Sequence, residues 1–307
     1  MGEDGSATIA ALLTEGVSRL TTRGLDTPRL DCEILLAHAL GIDRSRLAVQ
    51  LAGGAAGEPG SPGVPPAAAA AFRALIERRT GHEPVAYLTG KKEFWSLEFE
   101  VGPGVLIPRP ETELLVRQAL SLLPPAGAGP VNVADVGTGS GAIAVALAVE
   151  RPDLMILAVD ISDAALEMAR RNVRRHKVTS RVFVERGDLL MEVLDRPDRF
   201  PPFQMVVSNP PYIGLLEREG LMPDVRDHEP AEALFSGPEG MEAIERLAPQ
   251  AAQVLAPGGW FLLEVASHRA RDVARWLEEM GLWQDVLVID DYTRLPRAVQ
   301  ARRVTRC

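Results

Sequence analysis

The stretch that decides the fold lies at residues 131–150 and reads VNVADVGTGSGAIAVALAVE. Its apolar start at 131–136 predicts a buried strand, and its alanine-rich end at 142–150 predicts a helix. Glycine occupies three alternate positions between them, from Gly137 to Gly141. Glycine lets the backbone turn sharply and lets a ligand approach without a Cβ in the way. A glycine-rich loop between a strand and a helix therefore indicates a ligand site.

The chain after this stretch keeps alternating between strand and helix patterns. The predicted strands are 131–136, 154–160, 181–185, 204–208 and 260–265, and the predicted helices are 142–150, 164–176 and 241–255. This rhythm is typical of an α/β fold with an open, mostly parallel sheet and helices on both faces. Ligands bind such sheets beyond the carboxyl ends of the strands. The residues that follow each strand are therefore the candidates for function.

Acidic residues stand at the ends of the second and third strands. Asp160 could accept hydrogen bonds from both hydroxyls of a ribose, although capping of the next helix is the alternative. Asp188 could accept an exocyclic adenine N–H, or be an ordinary loop aspartate. The loop spacing is G-x-G-x-G, which differs from the G-x-G-x-x-G of pyrophosphate binders, and no P-loop lysine follows. This combination favours an adenosine-bearing ligand without pyrophosphate, and S-adenosylmethionine over NAD.

A second motif, Asn209-Pro210-Pro211-Tyr212, follows the fourth predicted strand. A rigid turn is the simplest interpretation, because consecutive prolines punctuate strands. The chemical alternative is that the Asn209 side-chain oxygen and the Pro210 carbonyl receive both hydrogens of a planar NH2 group, while the Tyr212 ring stacks on its plane. Two such acceptors would raise the electron density on a poorly nucleophilic nitrogen and orient it toward an electrophilic methyl group.

Composition narrows the class of protein. The 307 residues suggest about two domains at ~150 residues each. Lys and Arg total 33 against 42 Asp and Glu, and the net charge of −9 makes a general nucleic-acid binder less expected. The two cysteines, Cys32 and Cys307, are far apart and exclude a disulfide scaffold or a cysteine metal site, so we expect two free thiols. The five histidines have no metal-binding spacing, and no metal is expected.

The sequence divides into three predicted parts. Residues 1–80 form a small helical domain, interrupted by a Gly/Pro/Ala-rich stretch at 52–66 that predicts a flexible surface loop. Residues 81–108 form a connector, in which an alternating strand and a turn at Gly102–Gly104 predict a β-hairpin. Residues 109–307 form the catalytic body. No secretory signal and no apolar run of about 18 residues is visible, so we expect a cytoplasmic protein.

Several segments resemble one known family. They are AHAL at 37–40, EPVAYLTGKKEFWSLEFEV at 83–101, LIPRPETELLV at 106–116, the glycine loop, VD at 159–160, SNPPYI at 208–213 and DVRDHEPAEAL at 224–234. The Asn-Pro-Pro-Tyr motif alone is shared with adenine-N6 methyltransferases. The combination, in this order and over nearly the whole chain, resembles the peptide chain release factor N5-glutamine methyltransferase family (PrmC/HemK), a branch of the class I S-adenosylmethionine-dependent methyltransferases.

The resemblance implies a Rossmann-like, mostly parallel seven-stranded sheet with helices on both faces, beside the helical N-terminal domain. It also implies that the glycine loop follows the methionine part of the cofactor, that Asp160 holds the ribose, and that Asp188 borders the adenine. The residues implied for the cofactor are Asp135, Gly137, Thr138, Gly139, Ser140, Gly141, Asp160, Ile161, Asp188, Leu189 and Asn209. Leu189 stands where some members have an aromatic residue, so apolar packing on the adenine is expected there.

The implied reaction moves the methyl group of S-adenosylmethionine, leaving S-adenosylhomocysteine, to the N5 nitrogen of the glutamine in the Gly-Gly-Gln motif of class 1 release factors. Asn209 and Pro210 would be the catalytic acceptors, Tyr212 the platform, and Pro211 the remaining part of the substrate clamp. The segment Arg109–Glu113 would close over the cofactor, and the helical domain would help dock the release factor. No membrane partner and no direct nucleic-acid substrate is expected, and a monomer is the default expectation.

Three alternatives stay open. A nucleic-acid adenine-N6 methyltransferase would share the clamp, but would be expected to bring a target-recognition domain or a basic cleft. A glutamine methyltransferase that acts on a ribosomal protein would use the same clamp. A catalytically silent binding module would keep the fold, although it would not need the glycine loop, Asp160 and the Asn-Pro-Pro-Tyr motif to be intact.

Overall fold

The computed structural model describes residues 7–53, 63–127 and 129–305. Most of the predicted loop at 52–66 lies outside these ranges, as does Cys307 with its predicted free thiol. Among the described residues, no helix has both the length and the apolar character needed to cross a membrane.

The chain folds as two compact units. One consists of the residues up to Gly90 together with Met222–His228, and the other consists of Lys91–Leu221 together with the residues from Glu229 onward. Residues 81–90, which the sequence assigned to the connector, therefore fold with the helices that precede them. The docking and catalytic roles given to the three parts stay predictions.

The five strands and three helices that the sequence pattern predicts from residue 131 onward are all present, with ends that differ by up to five residues, and the structure adds further elements between and after them. The described residues contain the helices α1 (Ile9–Thr22), α2 (Pro28–Leu40), α3 (Arg44–Gly53), α4 (Pro66–Thr80), α5 (Val85–Thr89), α6 (Glu113–Leu122), α7 (Ala142–Glu150), α8 (Asp163–Arg175), α9 (Met191–Leu194), α10 (Pro223–His228), α11 (Ala231–Leu234), α12 (Glu242–Val254) and α13 (Ala270–Glu279). The strands are β1 (Lys91–Phe94), β2 (Leu97–Glu100), β3 (Val131–Val136), β4 (Leu154–Asp160), β5 (Val182–Arg186), β6 (Phe203–Ser208), β7 (Leu255–Glu264), β8 (Trp283–Asp290) and β9 (Pro296–Arg303).

The helical unit packs α1, α2 and α4 around one apolar core. Gly16 permits the close approach of α1, because a Cβ at that position would lie 2.8 Å from Cys32 Sγ and 2.9 Å from Phe72 Cζ. Burial raises the pKa of the free Cys32 thiol to about 12. The thiol therefore stays protonated and unreactive at neutral pH.

A buried arginine ties α10 to this helical unit. Arg79 donates from Nε to Asp31 Oδ2 at 2.7 Å and from Nη1 to Asp224 Oδ2 at 2.7 Å. Asp224 also lies 3.2 Å from His82 Nδ1. Loss of one partner would leave an uncompensated buried charge, which is strongly destabilising. These bonds explain why a segment from the second half of the chain folds with the first.

The second unit contains a seven-stranded sheet in the order β5-β4-β3-β6-β7-β9-β8. Strands β3 to β7 pair in parallel, and β9 pairs antiparallel with both β7 and β8. Helices α6 and α7 pack in one apolar cluster and α12 and α13 in another, and the adjacent residues Val133 and Ala134 of β3 belong to opposite clusters. The predicted fold class, with seven strands and helices on both faces, is confirmed.

The register of the sheet brings three strand ends together. Val136, the last residue of β3, is paired with Val159 of β4 and with Ser208 of β6. The residue after Val136 is Gly137, where the glycine loop begins. The residue after Val159 is Asp160, and the residue after Ser208 is Asn209. The motifs singled out in the sequence therefore lie at the same edge, beyond the carboxyl ends of the strands.

The predicted hairpin exists, but its predicted turn was wrong. Strands β1 and β2 pair antiparallel with Phe94 opposite Leu97, so the turn lies at Trp95 and Ser96 and not at Gly102–Gly104. Both turn residues have positive φ, of +53° and +56°. Two-residue hairpin turns with this backbone ordinarily contain Asn-Gly or Asp-Gly. Trp-Ser does not have that signature, and sequence reasoning had no local signal to find it.

Candidate active site

A cavity of about 240 Å³ lies in the second unit, at the edge where the strand ends meet. Its wall includes the predicted residues Gly137, Thr138, Gly139, Ser140, Asp160, Ile161, Asp188, Leu189, Asn209 and Pro211. Four other predicted residues, all within the described ranges, lie outside the wall: Asp135, Gly141, Pro210 and Tyr212. A concave, largely apolar space with a few convergent polar groups is the usual form of a small-molecule site.

The glycine loop has a backbone conformation that favours glycine. The φ angles are +71° at Gly137, +57° at Gly139 and +80° at Gly141, all in the left-handed region. A Cβ at Gly141 would also lie 3.3 Å from Ala169 of α8. Gly137 and Gly139 thus present bare backbone to the cavity, while Gly141 allows the loop to pack on the helix.

Asp135 supports this loop from a fully buried position. Its Oδ2 accepts the Thr138 hydroxyl at 2.6 Å and the Ala144 backbone N–H at 3.1 Å. Its Oδ1 has no hydrogen-bond partner among the described residues. Burial raises the pKa of Asp135 to about 7. Asp135 does not line the cavity itself, but it hydrogen-bonds to Thr138, which does.

The raised pKa of Asp135 predicts a specific pH dependence of stability. Between the ordinary value of 3.8 and about 7, the folded chain holds a proton on Asp135 that the unfolded chain has lost. This group therefore lowers the free energy of unfolding as the pH rises through that window. Asp135→Asn keeps an oxygen for Thr138 and does not titrate, so its stability relative to wild type should increase from about pH 4 to about pH 7. Urea unfolding at both pH values measures this difference, and an unchanged difference would contradict the prediction.

Asp160 is held in one orientation by the backbone around it. Its Oδ2 accepts the Gly139 N–H at 2.8 Å, and its Oδ1 accepts the Ser162 N–H at 2.9 Å. The side-chain cap of α8 is Ser162, which accepts from the Ala165 N–H. Partial burial raises the pKa of Asp160. The carboxylate is therefore fixed at the cavity wall, and the side chain that caps the helix is a different one.

Asp188 has a partner that the sequence did not predict. Its Oδ2 lies 2.5 Å from Nη2 of Arg246, which comes from α12 and also lines the cavity. About half of each side chain is exposed, so the pair contributes little to stability. A ligand N–H that bonded to Asp188 would share this carboxylate with the arginine.

Asn209 lies on a short hydrogen-bonded network that starts at the cavity wall. Its Nδ2 donates to the Thr112 hydroxyl oxygen at 3.2 Å, and the Thr112 hydroxyl donates to Glu264 Oε2 at 2.7 Å. The Tyr212 hydroxyl donates to the other carboxylate oxygen, Oε1, at 3.2 Å. Burial raises the pKa of both Glu264 and Tyr212. One buried carboxylate thus joins two ends of the Asn-Pro-Pro-Tyr motif.

The chain that follows Asn209 is anchored to a neighbouring segment. Ile213 donates its N–H to Leu234 O at 3.0 Å and accepts the Ser236 N–H at 3.0 Å. Gly240 packs so closely here that a Cβ would lie 2.4 Å from Tyr212 O. The backbone of the motif is therefore held at its carboxyl end, independently of the side-chain network.

The Arg109–Glu113 segment borders the cavity, as expected from the resemblance. Arg109 and Thr112 both line the wall. The Arg109 guanidinium pairs with Glu229, whose other carboxylate oxygen accepts the Ile107 N–H at 3.2 Å. Whether the segment closes over a cofactor stays a prediction.

The sequence analysis missed several residues at or next to the site, among them Glu264, Arg246 and Glu229. Glu264 is the last residue of β7, so the strand-end rule that selected Asp160 could have selected it as well. Arg246 lies within α12 and Glu229 between α10 and α11, where no strand end marks them. No group of three or more histidine, cysteine or acidic side chains suited to a metal occurs among the described residues.

The sequence matches two protein-family models. Residues 11–90 match the PrmC N-terminal domain, and residues 112–220 match the methyltransferase small domain. Together the two matches cover most of the helical unit and the part of the second unit that carries the glycine loop, Asp160 and Asn209.

Curated relatives match this chain over nearly its whole length. It is 40% identical over 298 residues to the release factor glutamine methyltransferase of Nitratidesulfovibrio vulgaris. The aligned region covers 97% of this chain and 96% of the relative. It is 40% identical over 296 residues to the release factor glutamine methyltransferase of Moorella thermoacetica, with coverage of 96% and 99%. Among solved structures, the hMettl16 catalytic domain in complex with MAT2A 3′UTR hairpin 6 has a TM-score of 0.55 at 15% identity, over 71% of this chain and 79% of that one. That likeness concerns the fold alone.

Proposed function

This chain belongs to the release factor glutamine methyltransferase family, and on that premise we propose that it transfers a methyl group from S-adenosylmethionine to the N5 nitrogen of the glutamine in the Gly-Gly-Gln motif of a class 1 release factor. The observation that carries the proposal is a single cavity whose wall holds the glycine loop, Asp160 and Asn209. Groups suited to an adenosyl cofactor and a side chain suited to an amide therefore face one space.

The residues of the wall fit an adenosyl cofactor. A Cβ at Gly139 would meet no described atom within 4 Å, so the missing side chain leaves that space to a ligand. Asp160 presents a carboxylate whose direction is fixed by two peptide N–H groups and whose other lone pairs would accept the ribose hydroxyls. Val105 and Leu189 contribute apolar surface to the wall, and Leu189 would border the adenine. S-adenosylmethionine would supply an electrophilic methyl group at this site.

The Asn-Pro-Pro-Tyr motif would hold the glutamine amide. The Asn209 side-chain oxygen and the Pro210 carbonyl would accept the two amide hydrogens, and Tyr212 would stack on the amide plane, with Pro211 beside it. Because the amide lone pair is delocalised, these acceptors raise its electron density at nitrogen and align it for attack. As the new N–CH3 bond forms and the S–CH3 bond breaks, the cofactor would leave as S-adenosylhomocysteine and the nitrogen would become acidic, so it would release a proton to water without a strong base.

Methyl transfer to a purified release factor tests this proposal. With methyl-labelled cofactor, we expect label on the wild-type factor and none on the same factor after its Gly-Gly-Gln glutamine is changed to alanine. Equal label on both factors would contradict the assigned residue. Label on neither factor, but on cellular RNA or DNA, would replace the proposal with adenine methylation. Label on a ribosomal protein instead would keep the chemistry and change the substrate.

The partners follow from the same proposal. Residues 1–80 would help dock the release factor, which is consistent with the match of residues 11–90 to the PrmC N-terminal domain. The reaction is proposed to occur in the cytoplasm, with the enzyme as a monomer. A truncated factor that lacks its docking surface should then retain the glutamine but lose methylation efficiency.

A further inference from the structure

A buried carboxylate outside the predicted site governs the network behind Asn209. Glu264 is 1% exposed and Thr112 is 5% exposed, and the Thr112 hydroxyl is 2.7 Å from Glu264 Oε2. The Asn209 Nδ2 lies 3.2 Å from the same hydroxyl oxygen. Neither Thr112 nor Glu264 has a role in the reaction as proposed above.

The charge of Glu264 sets the direction of both bonds. An ionised carboxylate only accepts hydrogen bonds, so the single proton of the Thr112 hydroxyl must point at it. The Thr112 oxygen is then an acceptor for its other neighbour, and the Asn209 group that faces it must be the NH2. The oxygen and the nitrogen of the side-chain amide are bonded to the same carbon and point in different directions. Fixing the NH2 on Thr112 therefore leaves the Asn209 Oδ1 free as an acceptor.

The carboxylate is supported in its ionised form by groups from several elements. Thr112 and Tyr212 both donate to it, and the charge of Arg297 on β9 favours ionisation. Burial is the largest influence and raises the pKa of Glu264, and the neighbouring charge of Glu111 acts in the same direction, so these donors are what favours the ionised form. A charge is retained in such a place only where hydrogen bonds compensate its desolvation.

We propose that Glu264 is a positioning residue that, through Thr112, holds the Asn209 amide with its oxygen available to a substrate NH2 group, and that its second oxygen holds the Tyr212 hydroxyl. The inference rests on the proposed function for the identity of that NH2 group. Whatever the substrate, the charge of Glu264 determines whether the oxygen or the NH2 group of the Asn209 side chain is left free.

Glu264→Gln tests the direction of the network with almost no change of shape. Without the charge, the direction of the bonds is no longer fixed: a glutamine NH2 that faces Thr112 donates to the hydroxyl oxygen, and the hydroxyl then donates to Asn209 and turns its amide over. We expect kcat for methyl transfer to fall about 10- to 100-fold, by analogy with the loss that follows removal of a partner that orients a metal-binding side chain. KM should change little, because the lost acceptor acts in the transition state. Glu278→Gln, at an exposed position of α13, is the matched control and should keep wild-type kcat.

Thr112 provides a test with a conservative rescue. Thr112→Val removes the hydroxyl and should lower kcat about as much as Glu264→Gln, whereas Thr112→Ser keeps the hydroxyl and should restore kcat to near wild type. The double variant Glu264→Gln/Thr112→Val should be no worse than either single change, because both break one chain of bonds. Equal activity of the serine and valine variants, or additive losses, would overturn the inference.

A measurement on the free enzyme separates this inference from the proposed function. In NMR spectra of 15N-labelled chain, the Asn209 side-chain NH2 should be protected from solvent exchange in wild type and in Thr112→Ser, and unprotected in Thr112→Val. Protection with no methyl transfer by wild type would reject the proposed function and keep the orientation of Asn209. Normal methyl transfer by wild type, with the same NH2 exchange and kcat in Thr112→Val, would reject the inference and keep the function.

Discussion

Asn209→Ala should lower kcat/KM for methyl transfer to the release factor by about 10²- to 10³-fold, the effect of removing one preorganised hydrogen-bonding group at a reacting centre. Asn209 is the member of the Asn-Pro-Pro-Tyr motif that combines a polar side chain with a place on the cavity wall. Alanine removes its oxygen as an acceptor and also leaves the Thr112 hydroxyl without its donor. The first change acts directly on the amide that has to attack, and the second ends the orienting role of Thr112.

The same variant should lose much less in cofactor affinity than in turnover, because Asn209 is only one of the residues implied for the cofactor. The glycine loop and Asp160 reach the cavity from β3 and β4, and their hydrogen bonds do not involve Asn209. Calorimetry with S-adenosylhomocysteine measures this separately from turnover. Gln253→Ala, which removes an exposed amide from α12, is the control for loss of a carboxamide. Near-normal turnover by Asn209→Ala would show that the motif is only a rigid turn.

The sheet could be predicted because its signals are local and repeated. Each central strand is buried on both faces and therefore appears as an apolar run between loop residues. Parallel strands bring their carboxyl ends to one edge of the sheet, so the sequence alone is sufficient to predict that Asp160 and Asn209 lie near the glycine loop. The pairing of Val136 with Val159 and with Ser208 confirms that these strand ends lie at one edge.

The unpredicted parts depend on long-range contacts. Thr112 and Glu264 are 152 positions apart, and only the fold brings their side chains together. The sequence likewise gives no sign of the partner of Asp188, because the α12 arginine that pairs with it is 58 positions away. The place of α10 in the helical unit could not be predicted either, because it depends on the bond between Arg79 and Asp224, which are 145 positions apart. Pattern and spacing carry no information about such partners.

Asp160→Ala should weaken binding of S-adenosylmethionine and S-adenosylhomocysteine by about 100-fold or more, since each hydrogen bond to a charged group contributes about 1.5–3 kcal/mol. The carboxylate has two tasks in this structure. It holds the Gly139 and Ser162 N–H groups, which shapes the loop, and it would accept the ribose hydroxyls. Alanine removes both, so the loss should exceed that of a single contact.

Acidification should reproduce part of this loss in the wild type. Burial raises the pKa of Asp160, so its proton returns at a higher pH than for an ordinary aspartate. Since the ionised form accepts the hydrogen bonds, cofactor affinity should fall as the pH decreases through that raised value, and Asp160→Ala should lack this dependence. Asp163→Ala, three residues along the chain and 77% exposed at its side chain, is the matched control and should bind normally. Tight cofactor binding by Asp160→Ala, with loss of binding by Asp163→Ala, would show that Asp160 is not the residue that binds the ribose.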